Sequence, residues 1–324
     1  MRQFIILSTL LAVSLSALAQ ERIDGSYDFQ TESGKKYSLY IPSNYDKGTA
    51  NPLMVGLHPF NPDRWDAESW CDTLIAFAEA NNLILACPDG GPEGRIDQPI
   101  DTAFTTSLID SVLKWYNIDE ERIYLMGFSM GGKATYTYGL THSERFAGFM
   151  PIGAAMAINY APVSIRSGAA DKPWYVIHGS EDWPDARFTP LVDMLKENFA
   201  IVESQLLQGV GHTIDFPDRN NILTTGYKWM DSVRQATSIT PPAGGCKPSI
   251  TYQASARKLT IENACETGSD VYTVSIIDLS GKLIYEANLH DTQSSLPLNE
   301  SINGVHIIRV RTAQATFSEK IAIF

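Results

Sequence analysis

Residues 127–132 read GFSMGG, and they follow an apolar run at residues 122–126, RIYLM, that is typical of a strand. The segment after them has a helical pattern, so a serine stands at a sharp turn between a strand and a helix. Ser129 would then present its hydroxyl beside the N-terminus of that helix, while Gly127 and Gly131 let strand and helix approach closely. This order predicts a nucleophile elbow. The alternative is a glycine-rich turn that holds an incidental serine.

An acid and a histidine follow this serine in the chain order that a serine, acid, histidine triad on an open parallel sheet requires. Asp182 lies in the loop after a predicted buried strand, residues 173–179, and is the candidate acid. His212 lies in the glycine-rich loop after the next predicted strand, residues 202–207, and is the candidate base. We expect His212 to accept the serine proton and Asp182 to fix the imidazole tautomer and stabilise its charged form.

Rival acids and histidines are less well placed. Glu181 and Asp185 differ from Asp182 only in register and stay open as the acid, whereas Asp171 precedes its strand and Asp215 follows the histidine. The other five of the six histidines end predicted strands, lie in a polar helix end or lie in a separate C-terminal region: His58, His178, His142, His290 and His306. We therefore expect structural roles for His58 and His178 and rank the other three below His212 because none of them is well placed.

Four stretches of this chain resemble secreted alpha/beta-hydrolase esterases. Residues 116–124 run into the GFSMGG stretch, and the others are residues 146–149 (FAGF), 36–42 (KYSLYIP) and 87–90 (CPDG). This group includes feruloyl and acetyl-xylan esterases, polyhydroxybutyrate depolymerases and small prolyl-oligopeptidase-like hydrolases. The resemblance covers about residues 25–235. It implies an α/β fold with a doubly wound, mostly parallel sheet, an acyl-enzyme mechanism, and no cofactor or metal. It leaves the substrate open, since one fold hosts many chemistries.

Acyl transfer also needs hydrogen-bond donors for the oxyanion of the tetrahedral intermediate. The backbone N–H of Met130, the residue after the nucleophile, is the first expected donor. The second is expected in the loop after the predicted strand at residues 52–58, where such hydrolases usually have His-Gly and this chain has His58 followed by Pro59. Proline has no N–H, so we expect Phe60 to donate instead.

The first 19 residues have the pattern of a secretory signal peptide. Arg2 supplies a positive start, residues 4–15 form an apolar run, and residues 17–19 (ALA) form a small-residue cleavage site before Gln20. A retained membrane anchor is the alternative, although the run is shorter than the roughly 20 residues that a span needs. Hydrophobic residues make up 44% of the 324, which allows a sizeable core and suggests one ordinary domain plus something smaller.

Charge and cysteine usage fit an exported protein. The formal net charge of −12 argues against nucleic acid and anionic membrane surfaces as partners. Four cysteines are compatible with an oxidising compartment, where disulfides survive. The most local pairings are Cys71 with Cys87 and Cys246 with Cys265, among three possible connectivities. Their spacing predicts no metal site.

The C-terminal region begins after a break at residues 238–245, whose prolines and glycines cannot continue a helix. Strand-like runs at residues 271–277 and 283–285 flank an Asp-Leu-Ser-Gly turn, a hairpin pattern. Residues 304–310 and 320–324 supply later strands. These runs predict a small all-β sandwich.

This region resembles the C-terminal sorting domain of the type IX secretion route. The Asp-x-x-Gly turn that begins at Asp278 and the terminal strand with Lys320 match that family, whereas His306 stands where the family often has tyrosine and Ile302 replaces its leucine. The resemblance implies recognition by the secretion machinery and export through the periplasm to the medium or the cell surface. A carbohydrate-binding or immunoglobulin-like module is the alternative.

Together these patterns predict a secreted serine esterase that acts on carboxylic esters of plant polysaccharides. The alternatives are a prolyl-oligopeptidase-like peptidase and a non-catalytic binding protein. The predicted segments are residues 1–19 (signal peptide), 20–238 (catalytic domain), 239–248 (linker) and 249–324 (sandwich sorting domain). Four aromatic residues are expected in or near loops at the active face, with Trp65 and Trp183 as the candidates for substrate contact and the others being Trp70 and Phe188. The alternative for the tryptophans is a place in the core. The oligomeric state stays open.

Overall fold

The computed structural model describes residues 21–60, 63–91, 93–154, 156, 159–237, 248–262, 272–278, 283–291, 293–311 and 316–323. The predicted signal peptide, residues 239–247 of the predicted linker, Cys246, Cys265 and the Leu-Ser-Gly part of the predicted hairpin turn lie outside the described residues.

The N-terminal unit is built on one eight-stranded sheet. Its strands are β1 (Glu21–Phe29), β2 (Glu32–Ile41), β3 (Asn51–Leu57), β4 (Ile84–Pro88), β5 (Ile118–Phe128), β6 (Gly148–Ile152), β7 (Pro173–Gly179) and β8 (Ile201–Leu207). They lie in the order β1-β2-β4-β3-β5-β6-β7-β8. The strands from β4 to β8 pair in parallel, whereas β1 and β2 pair with each other, and β2 with β4, in antiparallel fashion. The sheet is therefore mostly parallel, as the sequence predicts.

Helices cover both faces of this sheet, which explains why β3, β4, β6 and β7 are buried along their whole length. The helices are α1 (Ala67–Ala80), α2 (Pro99–Trp115), α3 (Met130–Thr141), α4 (Val163–Arg166), α5 (Phe188–Glu197) and α6 (Arg219–Thr237). Apolar residues of α1 and α6 share one core, and those of α2, α3 and α5 share the other. No helix in the described ranges combines the length and apolar character needed to cross a membrane.

One predicted cysteine pairing is wrong. Cys71 on α1 and Cys87 on β4 are both free thiols, buried where the helix packs on the sheet. Burial, together with a hydrogen bond to Cys71, raises the pKa of the Cys87 thiol well above its usual value, so it stays protonated. Sequence proximity suggested a disulfide, but the two side chains fill the core as small apolar groups.

The C-terminal unit consists of two antiparallel sheets. A three-stranded sheet has the order β13-β10-β9 and a four-stranded sheet has the order β12-β11-β14-β15. Their strands are β9 (Ser249–Gln253), β10 (Lys258–Glu262), β11 (Tyr272–Asp278), β12 (Leu283–Leu289), β13 (Gln293–Pro297), β14 (Gly304–Arg311) and β15 (Thr316–Ile323). Buried side chains of both sheets form one core, so the unit is a sandwich. β11 and β12 pair as the predicted hairpin.

The two units share a small apolar contact. Ile277 on β11 and Ile307 on β14 form one buried cluster with Ile201 of β8 and Val233 of α6, and Trp229 packs against it. β8 is the edge strand of the eight-stranded sheet, so the sandwich covers apolar side chains next to that edge.

Candidate active site

The GFSMGG stretch forms a sharp turn between β5 and α3. β5 ends at Phe128 and α3 begins at Met130, which leaves Ser129 between them with φ 57° and ψ −111°. A non-glycine residue in this region carries strain of order 1–3 kcal/mol, and such strain is concentrated at functional sites. The N–H of Ser129 donates to the carbonyl oxygen of Ile152 at 2.9 Å, which ties the turn to the end of β6.

Ser129, His212 and Asp182 form one continuous chain of hydrogen bonds. The distance from Ser129 Oγ to His212 Nε2 is 2.8 Å, and the distance from His212 Nδ1 to Asp182 Oδ2 is 2.6 Å. An ionised Asp182 accepts the proton of Nδ1, which leaves Nε2 as the acceptor of the serine proton. The loops after β5, β7 and β8 supply these residues because the carboxyl ends of parallel strands meet at one edge of the sheet. The arrangement is able to remove a proton from a serine hydroxyl.

The imidazole of His212 is supported from one side by an aromatic ring. The ring of Phe128 lies 4.9 Å from that of His212, with an angle of 32° between the planes. Gly153 has φ 54°, and a Cβ there would lie 2.8 Å from the Phe128 ring. Glycine at this position therefore leaves room for the phenylalanine that supports the histidine.

Two further side chains hold Asp182, which is 5% exposed. His178 Nε2 lies 2.9 Å from the backbone oxygen of Asp182 and 3.4 Å from its Oδ2. Burial lowers the pKa of His178, so its ring is neutral at pH 7 and Nε2 donates to the backbone carbonyl. Arg187 Nη1 donates to Asp182 Oδ1 at 2.8 Å. The carboxylate is thus contacted by a different partner at each oxygen.

The rival acids lie elsewhere. Glu181 and Asp185 are exposed, and the structure brings Asp182 rather than either of them to His212. Asp215 instead forms ion pairs with Arg64 and Arg219.

The loop after β3 is organised by His58, which is fully buried. The N–H of Gly90 donates to His58 Nε2 at 2.9 Å, so the ring proton is on Nδ1, which lies 2.9 Å from the carbonyl oxygen of Pro59. In a trans peptide the N–H points opposite to the C=O. The Pro59 carbonyl and the Phe60 N–H belong to the same peptide. The hydrogen bond from His58 to this carbonyl therefore directs the Phe60 N–H away from the His58 ring. Met130 and Phe60 as oxyanion donors stay a prediction.

The aromatic candidates divide into two groups. Trp183 and Phe60 are 71% and 50% exposed, which leaves both rings open to a ligand. Trp65 is 8% exposed, and its ring packs edge to face against Trp70 at 5.6 Å. The expectation that Trp65 contacts substrate is therefore corrected, because its ring belongs to the core beneath α1. Phe188 begins α5, with its ring 5.8 Å from that of His178.

Sequence reasoning missed Arg187, Phe128 and Gly153 as parts of this site. The only signal for Arg187 is its spacing of five residues from Asp182, and that spacing becomes informative only when the turn between them is known. In the part of the chain that the structure describes, no group of three or more His, Cys, Asp or Glu side chains could hold a metal ion.

Comparison with known proteins agrees with this geometry. Residues 93–222, which contain Ser129, Asp182 and His212, match the phospholipase/carboxylesterase family model. Residues 255–324 match the model of the secretion system C-terminal sorting domain. The chain is thus similar to an esterase family in one segment and to a sorting domain in another. The sorting domain implies secretion or export to the cell surface.

The chain is also similar to curated relatives and to a solved structure that are named as esterases. A bifunctional acetylxylan esterase/xylanase (XynS20E) from Neocallimastix patriciarum is 28% identical over 210 residues, which cover 63% of this chain and 29% of that protein. A probable feruloyl esterase C from Aspergillus terreus is 28% identical over 187 residues, which cover 54% of this chain and 66% of the relative. The chain thus spans less than two thirds of either relative. A solved ferulic acid esterase superposes with TM-score 0.55 at 18% identity, covering 67% of this chain and 99% of that one. The predicted alpha/beta-hydrolase fold is confirmed.

Proposed function

We propose that this protein is an exported serine esterase that hydrolyses carboxylic esters through an acyl-enzyme. The observation that carries this proposal is the hydrogen-bond chain of 2.8 Å from Ser129 to His212 and 2.6 Å from His212 to Asp182. Both distances are within the reach that proton transfer requires.

In the proposed reaction, Ser129 Oγ attacks the ester carbonyl carbon while His212 Nε2 takes the hydroxyl proton. The tetrahedral intermediate collapses as the imidazolium gives that proton to the leaving alcohol, which leaves an acyl group on Ser129. A water molecule then attacks the acyl carbon with His212 again as the base, the bond from that carbon to Ser129 Oγ breaks, His212 returns the proton to Oγ, and the acid product is released. Asp182 holds Nδ1 and stabilises the imidazolium in both halves of the reaction.

The negative charge that develops on the carbonyl oxygen is stabilised by the N–H groups of Met130 and Phe60. Met130 N–H is at the N-terminus of α3, where the helix dipole also favours an anion. Phe60 N–H belongs to the peptide that His58 orients. Loss of one such donor typically costs about a hundredfold or more in rate.

The proposed substrate class is a feruloyl or acetyl ester on a plant polysaccharide. Relatives named acetylxylan esterase and feruloyl esterase support this choice. The open rings of Trp183 and Phe60, next to the acid and at the predicted oxyanion donor respectively, support a ligand with a sugar or an aromatic group. Residues 20–238 would form the catalytic domain, and residues 249–324 would carry the chain through the periplasm to the secretion machinery.

A substrate panel on the purified mature chain tests the proposal. Aryl acetates, methyl ferulate, acetylated and feruloylated xylan fragments and peptide anilides are compared for the wild type and for Ser129→Ala. Turnover of the esters, absent in Ser129→Ala, supports the esterase. Preferential cleavage of the anilides would favour the peptidase alternative, and no turnover of any substrate would favour a binding protein.

A further inference from the structure

Arg187 lies next to the triad, and the esterase mechanism proposed above gives it no role. Its Nη1 lies 2.8 Å from Asp182 Oδ1 and 3.4 Å from His212 Nδ1. The Arg187 side chain is one quarter exposed, and the Asp182 side chain that it contacts is almost completely buried. A cation therefore touches the acid of the triad and stands beside the base.

The loop after Asp182 turns back on itself and brings the Arg187 side chain against Asp182. Trp183 has φ 50°, which turns the chain sharply after the acid. The N–H groups of Ala186 and Arg187 both donate to the Trp183 carbonyl oxygen, at 3.0 and 3.1 Å. The guanidinium also lies over the Trp183 ring, 5.2 Å from its centroid. The position of Arg187 is thus fixed by backbone hydrogen bonds and by ring packing.

We propose that Arg187 is a positioning residue of the esterase, which fixes the rotation of the Asp182 carboxylate and thereby the orientation of the His212 imidazole. This inference rests on the proposed function. The carboxylate cannot rotate, because Oδ1 is held by Arg187 while Oδ2 accepts from His212. With Oδ2 held in place, Nδ1 stays bonded to Asp182 and Nε2 stays directed at Ser129 Oγ.

The other titratable groups near His212 are either neutral or paired with a different residue. His178, at the end of β7, is buried, and burial lowers its pKa, so it stays neutral near pH 7. On the His212 loop, Asp215 is paired with Arg64 and Arg219. Asp182 and Arg187 are therefore the charged side chains that contact the His212 ring among the described residues.

Three substitutions separate the hydrogen bond of Arg187 from its charge. Arg187→Gln keeps a donor for Asp182 Oδ1 without the charge, Arg187→Lys keeps the charge with a different shape, and Arg187→Met removes both. The maximal rate of covalent labelling by a fluorophosphonate and its half-saturating concentration are measured separately, since this reagent reports the reactivity of Ser129 whatever the natural substrate is. Thermal melting of each variant shows that it is folded.

In Arg187→Met we expect the maximal labelling rate to fall about tenfold with an unchanged half-saturating concentration, because the carboxylate no longer fixes the His212 ring. Arg187→Gln keeps a donor for Oδ1 and should restore most of the rate, whereas Arg187→Lys should restore less because an ammonium lacks the planar fork. An unchanged maximal rate in folded Arg187→Met, with only the melting temperature lowered, overturns the proposal. Failure of the wild type to label would instead contradict the proposed function.

Discussion

A Cβ on Gly131 would lie 2.0 Å from the carbonyl oxygen of Leu57, the last residue of β3. Strand β3 leads into the loop of His58 and Phe60, and Gly131 belongs to the first turn of α3, so this close approach seats the loop with the expected oxyanion donor against the nucleophile elbow. The second glycine of the elbow is thus required by a backbone contact with another strand as well as by the turn itself.

Gly131→Ala should therefore damage both stability and activity. The added methyl group meets backbone atoms, which cannot move aside as a flexible side chain would, so we expect a loss of about 2–4 kcal/mol in the free energy of unfolding. Any folded fraction should show a lower kcat, because β3 and the elbow must separate. Gly48→Ala is the control, since its nearest contact is the Asp46 side chain at 3.4 Å. Equal urea midpoints for the two variants would contradict the expected clash.

His58→Ala should lower kcat more than it changes KM. The substitution removes the acceptor of the Gly90 N–H and the donor to Pro59, so the peptide that carries the Phe60 N–H is no longer oriented. If that N–H is an oxyanion donor, we expect a fall in kcat of about 10- to 100-fold. Steady-state kinetics on an aryl acetate measure it, with the exposed His290→Ala as the control. A folded His58→Ala protein with the kcat of the wild type would exclude Phe60 as the donor.

His178 should make stability fall as the pH drops below about 6.5. Burial lowers its pKa, so below the unfolded value of about 6.5 the unfolded chain binds a proton that the folded chain does not. The contribution is complete above pH 6.5 and is lost, by up to about 1.4 kcal/mol per pH unit, as the pH falls toward the folded pKa. His178→Gln, whose amide can still donate to the Asp182 carbonyl, should show a shallower loss between pH 7 and pH 5 in urea titrations. An identical pH dependence in both proteins would refute this role, and His290→Gln serves as the control.

Much of the candidate site could be predicted from the order of residues along the chain. Ser129, Asp182 and His212 each follow a predicted strand, and the carboxyl ends of parallel strands meet at one edge, so sequence reasoning could expect these three side chains to be close. Arg187 could not be found in this way. Its contact with Asp182 depends on the left-handed conformation of Trp183 and on two hydrogen bonds to the Trp183 carbonyl, and no periodic pattern records such a turn.

Burial was the other quantity that the sequence did not determine. Trp65 stands in a loop like Trp183, yet it packs against Trp70 whereas Trp183 is open to solvent. Cys71 and Cys87 are neighbours in the core without a disulfide between them. In each case the side chain's environment depends on how α1 is placed on the sheet, which is a tertiary property.

A chain that ends at residue 245 should keep its activity on a small ester. The three triad residues precede the break, and the N-terminal unit has its own cores. The truncation exposes Ile201, Val233 and Trp229, so we expect a loss of about 1–2 kcal/mol in stability. In the native host the truncated protein should accumulate in the periplasm. If the folded truncated protein is inactive on the small ester, the sandwich must contribute to the active site.

The identity of the residue that becomes covalently modified tests the central claim most directly. The mature protein is treated with a fluorophosphonate, digested and mapped by mass spectrometry, alongside His212→Ala and Asp182→Asn. We expect one adduct, on Ser129. Because the triad acts as a unit, this adduct should form at least a thousandfold more slowly in His212→Ala than in the wild type, and Asp182→Asn should be slowed less severely. An adduct on a different serine, or a folded wild-type protein that is not modified at all, would contradict the account.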